Sequence, residues 1–346
     1  MRYIALAISL LLIAGAGFSQ STTDLTRSTP AAEKVNAAGI TAYAKAVKES
    51  GLQLHSYMVL RHGKVIAADW LGDHSATEEH VMYSVSKTFT STAIGFAVTE
   101  GLLKISDKVI SFFPNDLPDT VTPYLRELTV RDLLIMSCGH GEDPSAQIRK
   151  HEGSWVKQFL AYPIAFKPGT HFQYNSVGTY MLSAIVQKLT GKKVVDYLTP
   201  RLFQPLGISG YHWEESPQGI NAGGWGLYLK TEDLAKMGQF MLQKGKWQGK
   251  QLLPAAWFAE ATKLQTPQWQ QSWVKPGQVK ENSDWMQGYG YQIWRCRHNA
   301  FRADGKDGQF VVVIPDKDAV VINTAFIQDT QAELNLIWDY LLPAME

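Results

Sequence analysis

Two residues three apart on a helix share one face, so a serine and a lysine at that spacing hold a hydroxyl and an amine within reach of each other. Inside a pocket the amine loses its proton and serves as a base. The hydroxyl then becomes a nucleophile for acyl transfer without any histidine. The chain contains Ser-x-x-Lys three times: Ser84-Val85-Ser86-Lys87, Ser154-Trp155-Val156-Lys157 and Ser272-Trp273-Val274-Lys275. With 21 serines and 23 lysines in 346 residues, chance supplies roughly one copy, so context must choose. The third copy runs into Pro276-Gly277 and is expected in a loop or at a break. The second heads a short amphipathic stretch ending near Pro163, with Lys157 expected to face water. Only the first opens a long segment, residues 84–101, with Phe89, Ala93, Ile94, Phe96, Ala97 and Val98 on every side, the pattern of a buried helix. A lysine on its first turn is desolvated or lines a cavity, and a buried unpaired charge is costly enough to need a reason. The helix N-terminus also favours a developing anion. The competing roles are an N-cap for Ser84 and a snorkelling surface amine for Lys87. From the residues alone both readings stand.

Other chemistries find little support. There is no G-x-S-x-G, phosphate-binding loop, H-E-x-x-H or dinucleotide fingerprint. The nine histidines are scattered, and the best cluster, His140 with Glu142 and Asp143, has the composition of a polar loop as much as of a metal site. No metal and no organic cofactor are expected. Cys138 and Cys296 permit one disulfide, but a chain of this size does not need it, and two buried thiols are expected.

The elements that must hold Ser84 and Lys87 are legible in outline. Residues 31–48 have helical composition, and residues 56–60 and 65–70 read as a strand pair around Arg61-His62-Gly63-Lys64. Residues 106–211 are rich in proline and short helical pieces, including 130–136 and 179–189, and 231–243 is another helix. Residues 288–295, 309–314 and 319–325 read as strands. Leu334, Ile337, Trp338, Leu341 and Leu342 follow the spacing of an amphipathic helix. Strands at both ends joined by tight turns favour an antiparallel sheet, with the N- and C-terminal parts in one sheet and a helical lobe inserted between them. A ligand pocket is expected in the cleft between lobes. Trp225, Trp285 and Trp294 are candidates to line it, although core packing is the expected role of each.

Composition excludes other classes. At 45% apolar, 19% charged and 11% aromatic the chain is globular. With 33 basic against 32 acidic residues it has no global field to attract nucleic acid or an anionic membrane. Arg2, an apolar run from Ile4 to about Gly17, and small residues at Gly17 and Ser19 read as a secretory signal cleaved near Ser19–Gln20. The run is too short to span a bilayer, and no cysteine sits at the cleavage point for a lipid anchor. The expectation is residues 1–19 as signal and 20–346 as one exported domain, periplasmic or secreted, without stable membrane insertion.

Residues 83–103, YSVSKTFTSTAIGFAVTEGLL, resemble the nucleophile helix of the serine β-lactamase and penicillin-binding superfamily. They are most similar to the branch related to class C β-lactamases, which includes carboxylesterases, D-aminopeptidases and 6-aminohexanoate-dimer hydrolases. The likeness runs from about residue 57 to the C-terminus through LLIMSCG (133–139), PGTHFQYNS (168–176), GGWGLYLKTED (223–233), GYGYQIW (288–294) and residues 305–315. It implies an α/β fold of the α+β type: an antiparallel sheet with flanking helices (about 31–80 and 220–346) and an inserted helical lobe (about 105–215). It implies that Tyr174, in Tyr174-Asn175-Ser176, is general base or proton shuttle, its phenol acidified by Lys87. Ser176 stands where relatives often carry asparagine. Lys306-Asp307-Gly308 corresponds to the Lys-Thr-Gly or His-x-Gly element facing the serine. Ser176, Lys306, Asp307 and Gly308 are thereby implied in substrate binding. The backbone N–H groups of Ser84 and Gln309 are implied as the oxyanion hole, a pair worth several kcal/mol of barrier. Asp307 replaces a hydroxyl that holds the carboxylate of β-lactams, and it would repel that carboxylate. Ser-Asp-Asn and Glu-x-x-Leu-Asn are absent.

The function these readings imply is an exported serine hydrolase forming an acyl-enzyme on a small ester or amide, with a short oligomer or a peptide-like molecule as substrate. The alternatives are a weak β-lactamase, a D-amino-acid peptidase, or a non-catalytic penicillin-recognising sensor.

Overall fold

The computed structural model describes residues 24–267 and 277–345. The secretory-signal segment and the third Ser-x-x-Lys copy lie outside the described residues.

Helix α1 (Ala37–Glu49) starts at Asn36, whose side chain accepts from the Ala38 N–H. Strands β1 (Leu54–Arg61) and β2 (Lys64–Trp70) follow as a hairpin. Its turn holds His62 and Gly63 at φ 51° and 74°, the left-handed pair that a two-residue hairpin demands. Strand β3 (His80–Val81) leads through a tight turn at Tyr83–Val85 into helix α2 (Ser86–Thr99). Short helices then surround the longer α3 (Ser176–Thr190). Strands β4 (His212–Trp213) and β5 (Leu227–Leu229) join β3 in a small sheet of order β3-β5-β4. Helix α4 (Thr231–Leu242) precedes the minor hairpin β6 (Lys246–Trp247) and β7 (Lys250–Gln251). Strands β8 (Trp294–Arg295), β9 (Phe301–Gly305), β10 (Gln309–Ile314) and β11 (Ala319–Ala325) complete the main sheet. Its order is β2-β1-β11-β10-β9-β8, antiparallel throughout, so both ends of the chain share one sheet as the sequence suggested.

Strand periodicity explains the layers. On β10, Val311 and Val313 face one apolar cluster while Phe310, Val312 and Ile314 face another. The first cluster takes in α2, α3 and α4; the second is roofed by α1 and the C-terminal helices. A strand covered on both faces reads as a continuous apolar run, which is why Gln-Phe-Val-Val-Val-Ile was recognisable. Strand β9 was not. Its core-facing Phe301 and Ala303 alternate with Arg302 and Asp304, and those charges are buried as a pair, Arg302 Nε to Asp304 Oδ2 at 2.7 Å. The strand expected over residues 288–295 is only Trp294–Arg295. Cys138 and Cys296 are buried and unpaired, and burial pushes both thiols up. Among the described residues, no helix is long and apolar enough to cross a membrane.

Candidate active site

Helix α2 is buried from Ser86 through Ala97, so whatever its first turn carries is held rigidly against the sheet. The helix begins with no side-chain cap, which leaves the Ser84 hydroxyl free of the capping role that competed for it. The preceding residue, Tyr83, has φ 43°, a left-handed conformation that a non-glycine residue adopts only under constraint from its surroundings. That turn presents Ser84 to a cavity.

Lys87 is 1% exposed. Its Nζ donates to Ser84 Oγ at 2.9 Å, Ser176 Oγ at 3.1 Å and the Gly224 carbonyl at 2.6 Å. Burial drives its pKa from the ordinary amine range down to about 7, against the opposing pull of Asp143 and Asp304. The amine is thus a base at neutral pH. Gly224 can approach so closely because it lacks a Cβ, which would lie 2.6 Å from the Ser176 carbonyl oxygen.

Tyr174 and Ser176 flank the cap of α3. Asn175, fully buried, accepts from the Gly178 N–H through Oδ1 at 2.9 Å and contacts His140 Nδ1 through Nδ2 at 2.8 Å. This fixes the chain so that the Tyr174 hydroxyl is hydrogen-bonded to Ser84 and the Lys87 Nζ lies 4.8 Å from the centre of its ring. The phenol is not acidified. Burial raises its pKa above the ordinary tyrosine value, and the hydrogen bond to Ser84 opposes that only in part. A lysine that is half-neutral near pH 7 offers the phenol little positive charge to acidify it.

The cavity over Ser84 has a volume of about 360 Å³, within the range of small-molecule sites. Tyr174, Trp285 and Trp294 form an aromatic wall, with the Tyr174 and Trp294 rings stacked at 5.7 Å. The other wall carries Asp304, Lys306, Gln328, Asp329 and Gln331. Arg302 braces both sides, pairing with Asp304 and lying 4.5 Å from the Trp285 ring. Trp285 and Trp294 therefore line the cavity, whereas Trp225 packs against Trp155 and Arg149 away from it.

The third element sits in the β9–β10 turn. Gly305 lies hard against the nucleophile turn: a Cβ there would meet the Met82 carbonyl oxygen at 2.5 Å. Lys306 follows, with its side chain largely exposed at the cavity mouth, 5.8 Å from the Tyr83 ring. Asp307 turns back at φ 61°, is 5% exposed and does not line the cavity, so it is not placed to repel a substrate carboxylate. Gly308 packs against Glu333 and Ala325. Gln309 is buried on β10, opposite Gly305, with its side chain donating to the Ala325 carbonyl. Gln309 is not among the residues that line the cavity over Ser84, whereas Lys306 is. The turn reads Gly305-Lys306-Asp307-Gly308, with a glycine at each end.

Elsewhere, Ser154 caps its own helix by accepting from the Lys157 N–H, and Lys157 is exposed. Glu142 accepts from the Tyr162 hydroxyl, Asp143 from Ser145, and His140 is engaged by Asn175, so that trio is dispersed.

An antiparallel sheet holding a cavity-lining serine beside a buried lysine, at the entry to its central helix, is the architecture of the β-lactamase-fold serine hydrolases. The chain belongs to the β-lactamase family, whose family model matches residues 41–336. Among curated relatives, it is 27% identical over 219 residues to a 6-aminohexanoate-dimer hydrolase of Paenarthrobacter ureafaciens, covering 58% of this chain and 55% of that one. It is 29% identical over 156 residues to a lovastatin esterase of Penicillium rubens, covering 38% and 39%. The chain thus spans about half the length of the curated relatives it matches. In fold it resembles the octameric penicillin-binding protein homologue from Pyrococcus abyssi, with a TM-score of 0.68 at 19% identity over 90% of this chain and 78% of that one.

Proposed function

We propose that the protein is an exported hydrolase that cleaves a small ester or amide through an acyl-enzyme on Ser84. The observation that carries this is the buried Lys87 amine, 2.9 Å from Ser84 Oγ and titrating near 7. Neutral Lys87 accepts the Ser84 proton as Oγ bonds to the substrate carbonyl carbon. The developing oxyanion takes the backbone N–H of Ser84 and that of Lys306. Tyr174, a neutral phenol beside Ser84, gives its proton to the leaving oxygen or nitrogen, and the proton on Lys87 restores the phenol. Water then attacks the acyl-enzyme with the same groups acting in reverse. No cofactor enters these steps. The aromatic wall suits an apolar acyl chain, and the Asp329 carboxylate suits a substrate that is neutral or carries a cationic end. The relatives, one named as a dimer hydrolase and one as an esterase, support that range.

The test is the intact mass of the protein after a fluorophosphonate probe, beside Ser84→Ala. One adduct on the wild type and none on the variant is expected. No adduct on folded wild type favours a binding or sensor protein, and an adduct surviving in Ser84→Ala means another serine reacts. A panel of p-nitrophenyl esters, D-amino-acid amides, aminohexanoate oligomers and nitrocefin then assigns substrate class. Protein recovered from its native host is expected to begin near Gln20; retention of Met1 would refute export.

A further inference from the structure

Three histidines far apart in sequence converge at the edge of the sheet. His55 lies on β1, His74 on the connection after β2, and His80 opens β3. One ring nitrogen of each lies within 4.8 Å of those of the other two. The His55 and His74 rings stack at 3.9 Å, and His80 lies 5.5 Å and 5.7 Å from them. Two buried ring nitrogens, His55 Nδ1 and His80 Nε2, have no protein hydrogen-bond partner among the described residues. An imidazole nitrogen left that way is costly unless something else satisfies it. The third ring is oriented: the Glu78 carboxylate sits 2.9 Å from His74 Nδ1, which fixes the proton there and leaves Nε2 as the lone-pair atom. A carboxylate behind a histidine is the arrangement that aims and strengthens metal-ligating imidazoles.

We propose that His55, His74 and His80 form a binding site for a divalent transition-metal ion of the zinc class, with Glu78 as the orienting group. Three imidazoles leave a fourth position to water. A tetrahedral zinc with bonds of about 2.0–2.1 Å keeps its ligand nitrogens about 3.4 Å apart, so the rings need to close by roughly 1 Å. Rotation about the broad terminal torsion of histidine permits this. The site is separate from the Ser84 cavity, which none of the three rings lines. Its consequence is mechanical: the ion ties β1 and the residue 71–79 connection to β3, the strand that runs through Met82 into the nucleophile turn.

The experiment uses the full mature protein, free of any histidine tag and stripped with EDTA, titrated with zinc in competition with a chromophoric chelator. One equivalent bound per chain is expected, together with a rise of several degrees in Tm at saturating zinc. His74→Ala, on a partly exposed ring, is expected to fold as the stripped wild type does and to lose the Tm response. Glu78→Gln is expected to weaken zinc binding about 10- to 100-fold. Cobalt in place of zinc should give the intense visible bands of tetrahedral coordination, absent in His80→Ala. Less than one equivalent at micromolar zinc, or binding that survives unchanged in His74→Ala and His80→Ala, would overturn the assignment and leave three packed neutral rings.

Discussion

The chemistry of this site reduces to what burial does to one amine. Water stabilises an ammonium; the interior of α2 does not, and Lys87 titrates near 7 for that reason. In the proposed mechanism the active form is the neutral one, so the rate of probe labelling at Ser84 should rise with pH and reach half its maximum near pH 7. Lys87→Ala should remove that limb and slow labelling by about 10²- to 10⁴-fold. Tyr174→Phe should keep the limb at the same pH while lowering turnover of substrates with poor leaving groups, because its phenol gives a proton rather than sets the base. A stopped-flow pH profile of the three proteins decides this. A limb that moves with Tyr174→Phe would return the base role to the tyrosine.

At the scale of elements, two close backbone approaches hold the reacting groups in register. Gly224 brings its carbonyl onto Lys87, and Gly305 brings the end of β9 onto Met82. Gly305 has an ordinary φ of −129°, so space rather than conformation requires glycine there. Gly305→Ala should displace the nucleophile turn from the oxyanion donor by a fraction of an ångström. About a 10²-fold loss in kcat/KM is expected with a modest fall in Tm, since misplacement of this order is punished in catalysis more than in stability. Equal loss of both would mean that the turn is merely part of the packing. The Asn175 cap is the third such device, fixing Tyr174 and Ser176 on either side of itself.

For the molecule as a whole, keeping Lys87 buried costs stability, and the sign follows from linkage. The folded state releases the proton near pH 7, while an unfolded lysine holds it to about 10.4. Between those values the unfolded chain binds more protons, so stability rises with pH, by at most about 1.4 kcal/mol per pH unit from this group. Lys87→Met should flatten that slope between pH 7 and 10. Urea unfolding of both proteins across this window measures the difference, and parallel slopes would show that Lys87 is not desolvated.

Sequence alone determined the features that rest on local periodicity and spacing. The all-round apolar run after Ser84, the Val-rich strands β10 and β11, and the hairpin at His62-Gly63 each carry a physical pattern independent of what surrounds them. The meeting of Ser84 and Lys87 was legible because a spacing of three brings them together across the entry to α2, and the place of Tyr174 because it lies in a recognisable stretch of the family. Only the tertiary structure decided what depends on separate segments meeting. Strand β9 was hidden because the Arg302–Asp304 pair neutralises charges that read as solvent-facing. That Gly305 packs against Met82 is a contact between separate segments. Asp307 turned out to be folded away from the cavity by a left-handed residue that no local pattern announced. The three histidines on β1, the following connection and β3 form no spacing motif at all, because sheet pairing and chain reversal, not sequence distance, bring them within 4.8 Å.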